Sequence, residues 1–361
     1  MKKISKRILI SLVALSMLFC ASCRADRGTP VMTLGDKSVT DHMYEYWMCS
    51  YKAVLMSQYS DAKDTAEFWD MKLGDDTTAE SFFYDLTYNY IESNLVSMYL
   101  FDELGLELED EDCEKAEQIV SDLEEAYAGG NRNDFNRLLA NYGVNADLLL
   151  DIYLEELKST YVYNHVFESG VLKVSEEDKE TFLDENYVRI RQIYINNKYD
   201  RAKSSYDESG NFVMAPLDGE QKAEKDNKLT EAAYELATGA DFDEVYEKYS
   251  EDKEYANGYY LSVTTKNIPM ELINAALSLE VGESATVETD YGTHIIKRLE
   301  MNGQDYDDKA NADFFGDFSE QVYESVFNDY ITSYYDKIEV DKEAISKYTI
   351  RDSLPNYSFQ Y

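Results

Sequence analysis

Residues 239–299 decide the fold, and they read GADFDEVYEKYSEDKEYANGYYLSVTTKNIPMELINAALSLEVGESATVETDYGTHIIKRL. Asp241, followed three residues later by Glu244, is typical of a capped helix start, and this helix should end near Tyr249. His294 follows a glycine-containing turn and stands in a run typical of a buried strand. Apolar spacing elsewhere in the stretch predicts a strand at 258–263, a helix at 270–279, and strands at 285–288 and 293–299.

The stretch before residue 239 adds two elements to the same domain. Alternating apolar residues at 188–195 predict a strand, and the pattern at 220–238 predicts a helix. The polar run 196–227 contains a turn-forming stretch at 207–210, so we interpret it as an exposed insertion that is partly a hairpin. The resulting order is β-α-α-β-α-β-β. A mixed sheet with helices on its faces would bury the apolar sides of these elements.

Helical periodicity dominates the chain on both sides of this domain. A strand at 31–40, turned at Gly35, opens the amino-terminal part. Thr77 and Glu80 have the spacing of a capping box at the start of one long helix. Residues 31–186 therefore look like a helical domain opened by one strand. The apolar spacing predicts helices at 41–59, 78–104, 110–128, 134–141, 146–168, 175–186 and 312–335.

The amino terminus has the pattern of an export signal. A basic start precedes an apolar run at 8–19, which is too short for a good membrane-spanning helix. Cys20-Ala21-Ser22-Cys23 then resembles a lipoprotein signal-peptidase site, which implies a signal peptide at 1–22 and a lipid on Cys23. An ordinary secretory signal and a retained anchor are the alternatives. We expect an exported protein that is lipid-anchored at the extracytoplasmic face of the cell membrane.

The composition is strongly acidic, with 72 Asp and Glu residues against 34 Lys and Arg, and a formal net charge of −38. Such a chain repels phosphate backbones, which argues against nucleic-acid binding. Export permits a disulfide between Cys49 and Cys113, although we expect two buried free thiols. The cysteines and histidines do not have the spacing of a zinc site, so no metal is expected.

The element order and two short motifs resemble the parvulin family of peptidyl-prolyl isomerases. The motifs are Tyr249-Ser-Glu-Asp252 and Thr289-Asp-Tyr-Gly-Thr-His294-Ile-Ile-Lys. The resemblance implies a parvulin-like domain at 187–300 that acts on prolyl peptide bonds without a cofactor or a metal.

The strand and long helices ahead of this domain resemble the amino-terminal half of extracytoplasmic foldases of the PrsA and SurA type. That resemblance implies a helical chaperone-like domain at 23–186 and a region at 301–361 whose helix folds back onto it, followed by a tail. The expected fold class is α+β, a composite helical domain with the parvulin-like domain inserted into it. A homodimer joined through the helical domains is compatible with this layout, as is a monomer.

The resemblance also implies which residues form the catalytic site. His294 matches the second pocket histidine of the family, Asp252 matches its Cys or Asp position, and Thr289 matches a hydroxyl position. Each residue has an alternative role in the fold. These roles are a hydrogen-bonded strand histidine, a capping carboxylate and a strand-end hydroxyl.

The sequence departs from the family at the first histidine and at the pocket walls. Gln192 stands where the family has its first histidine. Because glutamine forms hydrogen bonds but does not titrate near neutrality, we expect the isomerase activity to be weak. Leu272 and Leu277 stand where the family tends to have Phe, and Ile268 or Met270 where it has Met. The substrate-binding walls would therefore keep apolar bulk without aromatic rings.

Two functions follow from these observations, and a third is compatible with the long helices alone. The first is a membrane-anchored foldase that isomerises prolyl bonds of secreted proteins and binds unfolded chains. The alternative is a non-catalytic holdase chaperone whose parvulin domain has lost rotamase activity. The third is a purely structural surface protein. The first two share their partners, which are unfolded or extended secreted polypeptides and the membrane through Cys23.

Overall fold

The computed structural model describes residues 26–58, 63–73, 76–207, 209–210, 212–303 and 305–361. The predicted signal peptide at 1–22 and the predicted lipidation site, Cys23, lie outside the described residues. The chain divides into two compact units. The split unit comprises the chain up to Lys173 together with Phe327–Tyr361, and the inserted unit is Val174–Val326. The domain limits that we placed at 186 and 300 stay predictions.

The split unit begins with a β-hairpin and continues as a series of helices. Strands β1 (Pro30–Leu34) and β2 (Lys37–Thr40) are antiparallel. Gly35 in their turn has a φ of +61°, a conformation that glycine adopts at little cost. The following helices are α1 (Asp41–Gln58), α2 (Ala66–Trp69), α3 (Ala79–Glu103), α4 (Asp110–Ala128), α5 (Arg132–Leu139) and α6 (Ala146–Glu168).

The apolar faces of α1, α3 and α6 supply much of the core of the split unit. Trp47, Ile91 and Ile152, one from each helix, are fully buried in it. Burying one such side chain contributes roughly 1.5–3 kcal/mol. Both cysteines are free thiols, as expected, but only Cys49 is buried, whereas Cys113 is half-buried.

The ends of these helices follow local rules, with one correction to the prediction. Gly129 ends α4 in the left-handed conformation, with a φ of 57°. The capping box predicted at Thr77 and Glu80 is wrong by one residue. Thr78 has the extended conformation that a cap requires, and it pairs with Ser81 at the start of α3.

The inserted unit contains every element of the predicted β-α-α-β-α-β-β order. Its elements are α7 (Glu176–Asn186), β3 (Tyr187–Ile195), β4 (Tyr199–Tyr206), β5 (Phe212–Pro216), α8 (Gly219–Ala237), α9 (Phe242–Tyr249), β6 (Tyr259–Ser262), α10 (Met270–Ser278), β7 (Ser284–Thr289) and β8 (Gly292–Leu299). Strands β4 and β5 form an antiparallel hairpin between β3 and α8, which confirms the predicted insertion. The α+β fold class is confirmed as well.

The other four strands of this unit form one sheet in the order β6-β3-β8-β7. Every pairing in this sheet is antiparallel, so the predicted mixed sheet is wrong. The error arises because alternating apolar residues bury a strand equally well in either direction, and the pattern carries no information about direction.

Helices cover both faces of this sheet, as the sequence of β8 requires. Ile295 and Ile296 are adjacent, so their side chains point to opposite faces. Ile296 lies in an apolar cluster with Leu272 of α10, whereas Ile295 lies in another with Phe242 and Val245 of α9. Burial of both residues therefore requires a helix on each side.

The segment between β8 and the next helix differs from the prediction. We predicted a helix over 312–335, whereas α11 (Phe318–Thr332) begins later. Ahead of it, the N–H of Phe315 donates to the carbonyl of Ala312, which is the spacing of a turn rather than of an α-helix. Gly316 follows and disfavours a helix further. The aromatic side chains of this segment consequently do not have the positions that the predicted helix would give them.

The last part of the chain completes the core of the split unit. Strand β9 (Glu339–Val340) pairs with β1, and helix α12 (Lys342–Ile345) follows. Phe359 is 4% exposed. Its ring lies between 4.9 and 5.8 Å from the rings of Tyr127, Phe135 and Tyr142. Across the described residues, no helix combines the length and the hydrophobicity needed to span a bilayer.

Candidate functional site

Strands β3 and β8 place two polar side chains on one face of the sheet. In their antiparallel register, Tyr194 lies opposite His294 and Gln192 lies opposite Ile296. Since residues two apart on a strand share a face, Gln192 and His294 are diagonal neighbours on the face that carries Ile296. Polar groups on such an apolar face are costly unless they are hydrogen-bonded.

A continuous series of hydrogen bonds joins all four residues that we predicted as catalytic. The Thr289 hydroxyl lies 3.1 Å from His294 Nε2, and His294 Nδ1 lies 2.8 Å from Gln192 Oε1. Gln192 Nε2 donates to Asp252 Oδ2 over 3.1 Å. The structure therefore brings Thr289, His294, Gln192 and Asp252 together in this order, and we call them the polar series. Their catalytic roles stay predictions.

The carboxylate at one end of the polar series sets the direction of its hydrogen bonds. A carboxylate only accepts, so the Gln192 nitrogen faces Asp252 and the Gln192 oxygen faces His294. That oxygen needs a donor, which makes His294 Nδ1 the protonated ring nitrogen. His294 Nε2 is then an acceptor for the Thr289 hydroxyl. Both nitrogens of the imidazole are occupied by neutral partners.

Burial explains why His294 stays neutral. The residue is 6% exposed, and its ring centroid lies 4.9 Å from that of Tyr194. Burial lowers the pKa of His294 to about 4, and the charge of Asp252 opposes this effect only in part. The imidazole is therefore neutral near pH 7, and its Nδ1 is hydrogen-bonded to the Gln192 amide oxygen.

The turn between β7 and β8 positions Thr289. The Thr289 hydroxyl accepts a hydrogen bond from the N–H of Tyr291 and also lies 3.1 Å from the carbonyl oxygen of Gly292. A side chain at Gly292 would meet the carbonyl oxygen of Ile195 at 2.6 Å. Only glycine allows the turn to approach β3 this closely. The glycine of the His294 motif therefore serves the geometry of the site.

The loop after α9 brings Asp252 to the polar series. The N–H of Tyr194 donates to Ser250 Oγ, and the N–H of Glu251 donates to the carbonyl of Tyr194. The Glu251 carboxylate forms an ion pair with Lys225 of α8 at 2.7 Å. The two hydrogen bonds hold the loop against the part of β3 that follows its pairing with β6, and the ion pair holds the loop to α8. Asp252 consequently lies beside Gln192.

A cavity of about 470 Å³ opens at the Asp252 end of the polar series. Gln192 and Asp252 line this cavity, whereas His294 and Thr289 lie behind them and do not. A molecule in the cavity would therefore meet the carboxylate and the amide rather than the imidazole. Among the described residues, no group of His, Cys, Asp and Glu is arranged to hold a metal ion.

Aromatic rings form much of the wall of this cavity, which we call the aromatic cavity. The rings of Tyr255 and Tyr259 lie 5.3 Å apart, and the ring of Phe314 lies 5.2 Å from that of Tyr255. The expectation of walls without aromatic rings is therefore wrong. Tyr259 stands in the strand predicted at 258–263 and Tyr255 just before it, and no pattern in the sequence analysis marked them as wall residues. Phe314 gave no signal, because it lies in a segment predicted as helix.

The structure brings one of the four predicted substrate-binding residues to the cavity. Ile268 lines it. Met270, on the first turn of α10, is 54% exposed, and Leu272 is 1% exposed within the apolar core. Leu277 packs at the margin of that core. These three residues lie outside the cavity lining, and their contact with a substrate stays a prediction.

The inserted unit has the element order that the resemblance to parvulin-type peptidyl-prolyl isomerases implied. Residues 212–300 match the Rotamase family, described as the PPIC-type PPIASE domain. This part of the chain is therefore a PPIC-type domain. The match begins after β3, so Gln192 lies outside it.

Two curated proteins are similar to parts of the chain. The chaperone SurA of Methylobacillus flagellatus is 31% identical over 139 residues, which cover 38% of this chain and 30% of that protein. A parvulin-like PPIase of Rickettsia typhi is 27% identical over 165 residues, which cover 40% of this chain and 58% of that protein. The chain thus spans less than two thirds of the length of either relative.

Solved structures of PrsA proteins are also similar to this chain. PrsA from Bacillus subtilis is 17% identical, with a TM-score of 0.24, and the match covers 79% of this chain and 92% of that chain.

Proposed function

We propose that the protein is an exported foldase that isomerises prolyl peptide bonds in unfolded secreted polypeptides. The observation that carries this proposal is the polar series, which ends with a carboxylate on the wall of the aromatic cavity. The rings of the cavity offer apolar surface to a pyrrolidine ring. The carboxylate offers a fixed charge beside the prolyl amide.

The barrier to prolyl rotation suggests how such a site acts. Twisting the amide costs roughly 18–20 kcal/mol, because it ends the resonance between the nitrogen and the carbonyl group. In the planar amide, this resonance places partial negative charge on the carbonyl oxygen. A carboxylate beside that oxygen repels the planar amide more than the twisted amide, and this difference lowers the barrier. Asp252 is the residue that we assign to this role.

The rest of the polar series holds Asp252 in place. Its Oδ2 accepts from Gln192, and its Oδ1 accepts from the N–H of Glu254 over 3.0 Å. His294 orients the Gln192 amide, and Thr289 orients the imidazole. We therefore assign Asp252 the catalytic role, and Gln192, His294 and Thr289 positioning roles.

Exchange NMR spectroscopy on a short prolyl peptide tests this function. The wild-type protein should raise the cis/trans exchange rate above the uncatalysed rate. Asp252→Ala should lower kcat by about tenfold or more and lower KM as well, because it removes the repulsion that raises the energy of the bound planar amide. Glu254→Ala removes an exposed neighbouring carboxylate outside the cavity lining and should leave the rate unchanged. An exchange rate equal to that of buffer for the wild type would refute the proposal.

A second observation favours the non-catalytic holdase. The β4–β5 hairpin exposes apolar side chains, with Tyr206 at 71% and Val213 at 50% exposure. Such a surface can bind unfolded chains without any chemistry. A holdase should suppress the aggregation of a denatured client, as measured by light scattering. It should lose this effect in a Tyr206→Ser/Val213→Ser variant and keep it in Asp252→Ala.

We also propose that a lipid on Cys23 tethers the protein to the extracytoplasmic face of the membrane. The support is the basic and apolar start of the chain, followed by Cys20-Ala21-Ser22-Cys23. Mass spectrometry of the protein from a bacterial host should find an acylated Cys23, and Cys23→Ser should move the protein to the soluble fraction. Limited proteolysis tests the proposed domain limits at 186 and 300. Sedimentation analysis decides between a monomer and a homodimer.

A further inference from the structure

One wall of the aromatic cavity comes from outside the PPIC-type domain. Asp313, Phe314 and Asp317 line the cavity, although the family match ends at residue 300. The turn that precedes α11 places the Phe314 ring 5.2 Å from that of Tyr255 and 6.1 Å from that of Tyr259. This chain therefore adds a further aromatic ring and two carboxylates to the cavity beside Asp252.

The charges that line the cavity are predominantly negative. Asp252, Asp313 and Asp317 contribute carboxylates, and Lys266 contributes one ammonium group. Within the part of the chain that the structure describes, none of these three carboxylates forms an ion pair with a basic side chain. Glu251, directly before Asp252, differs from them because it is paired with two lysines of α8.

A buried hydroxyl in the cavity wall lacks a hydrogen-bond partner. Tyr259 is 3% exposed and lines the cavity. Among the described residues, its hydroxyl has no partner. Burial raises the pKa of Tyr259, so its hydroxyl stays neutral and offers lone pairs to an N–H donor. A buried polar group without a partner is costly, and a ligand with N–H groups would relieve that cost.

We propose that the aromatic cavity binds the side chain of a lysine or arginine that precedes the proline in the client. This inference rests on the proposed isomerase function and names the peptides that the site prefers. A long cationic side chain lays its methylene groups along aromatic faces and its charge against their π-systems. Its N–H groups would donate to the carboxylates and to the Tyr259 hydroxyl. A glutamate at the same position would face three like charges.

A peptide series that differs only in the residue before proline tests the inference. The peptides carry lysine, norleucine or glutamate, and norleucine matches the length of lysine without its charge. For each peptide, kcat/KM is measured by exchange NMR spectroscopy and Kd by fluorescence anisotropy. The lysine peptide should exceed the norleucine peptide by about tenfold in kcat/KM and in affinity at low salt. The preference should fall as salt rises.

Variants of the added wall show whether the preference originates there. Asp313→Asn/Asp317→Asn should reduce the advantage of lysine over norleucine to about twofold, because two of the three carboxylates are lost. Glu320→Gln/Glu324→Gln removes the same charge from exposed positions of α11 and should keep the preference. Phe314→Leu should weaken lysine binding by about threefold, through the loss of one cation–π contact, and leave norleucine binding unchanged.

The outcomes separate this inference from the function on which it rests. If no peptide is isomerised but lysine still binds about tenfold more tightly than norleucine, the isomerase proposal fails and the cation site stands. If the peptides are isomerised with equal efficiency, the cation site is refuted and the isomerase stands. Equal loss of preference in the Asn and Gln double variants would also refute the cation site, because it would make the effect one of net charge. Circular dichroism melts confirm that each variant is folded.

Discussion

Burial shifts the pKa of one titratable side chain in each unit, and these two shifts can be compared. In the inserted unit, His294 lies between Thr289 and Gln192, and burial lowers its pKa to about 4. In the split unit, Glu156 accepts hydrogen bonds from Trp47 Nε1 at 2.7 Å and from the Tyr90 hydroxyl at 3.3 Å. Burial raises its pKa to about 7, although these two donors favour the ionised form. The same cause moves the two pKa values in opposite directions.

The opposite shifts lead to opposite dependences on pH. The neutral form of a histidine is the deprotonated form, so a lower pH destabilises the folded state in which the histidine is buried. The neutral form of a carboxyl group is the protonated form, so a higher pH destabilises the folded state in which the carboxyl group is buried. The inserted unit should therefore gain stability as the pH rises, over a range in which the split unit loses it.

The largest expected effect concerns His294. Between pH 6.5 and 4 the unfolded chain binds a proton at this histidine and the folded chain does not, so stability is lost as the pH falls through this window. The loss should amount to about 3 kcal/mol, since one pKa unit corresponds to 1.36 kcal/mol. Amide hydrogen exchange of β8 across the window measures it. His294→Gln keeps a neutral hydrogen-bonding side chain and should remove the dependence. Rates are divided into the intrinsic exchange rate at each pH to give protection factors, and the comparison breaks if β8 has equal protection factors at pH 6.5 and pH 4.

A smaller effect of opposite sign is expected at Glu156. Between pH 4.5 and 7 the folded chain retains the proton that the unfolded chain has lost, so stability falls as the pH rises. We expect a loss of about 2 kcal/mol, because the residue is only half-buried and solvent screens part of the shift. Hydrogen exchange of α6 measures the loss, and Glu156→Gln should abolish it. Lower protection factors for α6 at pH 4.5 than at pH 7 would be the wrong sign.

Removing one of the two hydrogen-bond donors to Glu156 gives a further test of its pH dependence. Trp47→Phe keeps aromatic bulk but deletes the N–H that favours the ionised carboxyl group. The variant should lose about 1 kcal/mol more at pH 8 than at pH 5, because only the ionised form needs the donor strongly. Tyr90→Phe removes the longer of the two hydrogen bonds and serves as the matched control, with a smaller difference expected. Equal losses at both pH values for Trp47→Phe would show that the Trp47 N–H does not favour the ionised form of Glu156.

The smallest expected effect is on the activity itself. Because the His294 pKa lies near 4, its charge does not change between pH 6 and 8. The kcat/KM of the proposed isomerisation should vary by less than about twofold over this range. A bell-shaped profile centred near pH 7, measured by exchange NMR spectroscopy, would mean that the imidazole exchanges protons during turnover.

Much of the inserted unit could be predicted from the sequence, because its elements are short and its motifs are local. The resemblance at Tyr249-Ser-Glu-Asp252 and around His294 selected residues that the fold brings together, and Gln192 was identified by its place in β3. Strand direction could not be predicted, since the apolar pattern is the same in parallel and antiparallel sheets.

The remaining errors arise from contacts between distant parts of the chain. Phe314 belongs to a pattern that fits a helix, and only the turn at Gly316 and the aromatic residues of the inserted unit divert it into the cavity wall. Glu156 and Trp47 lie on separate helices, and helical spacing within one helix does not reveal which residue of another helix it meets.

The position of Phe359 in the split unit has a consequence for biosynthesis. This ring fills the aromatic surroundings of Tyr127, Phe135 and Tyr142, all of which are made much earlier. The ribosome synthesises the chain from its amino terminus, so the inserted unit is available in full before Phe359 emerges. The core of the split unit therefore stays incomplete until Phe359 has been synthesised.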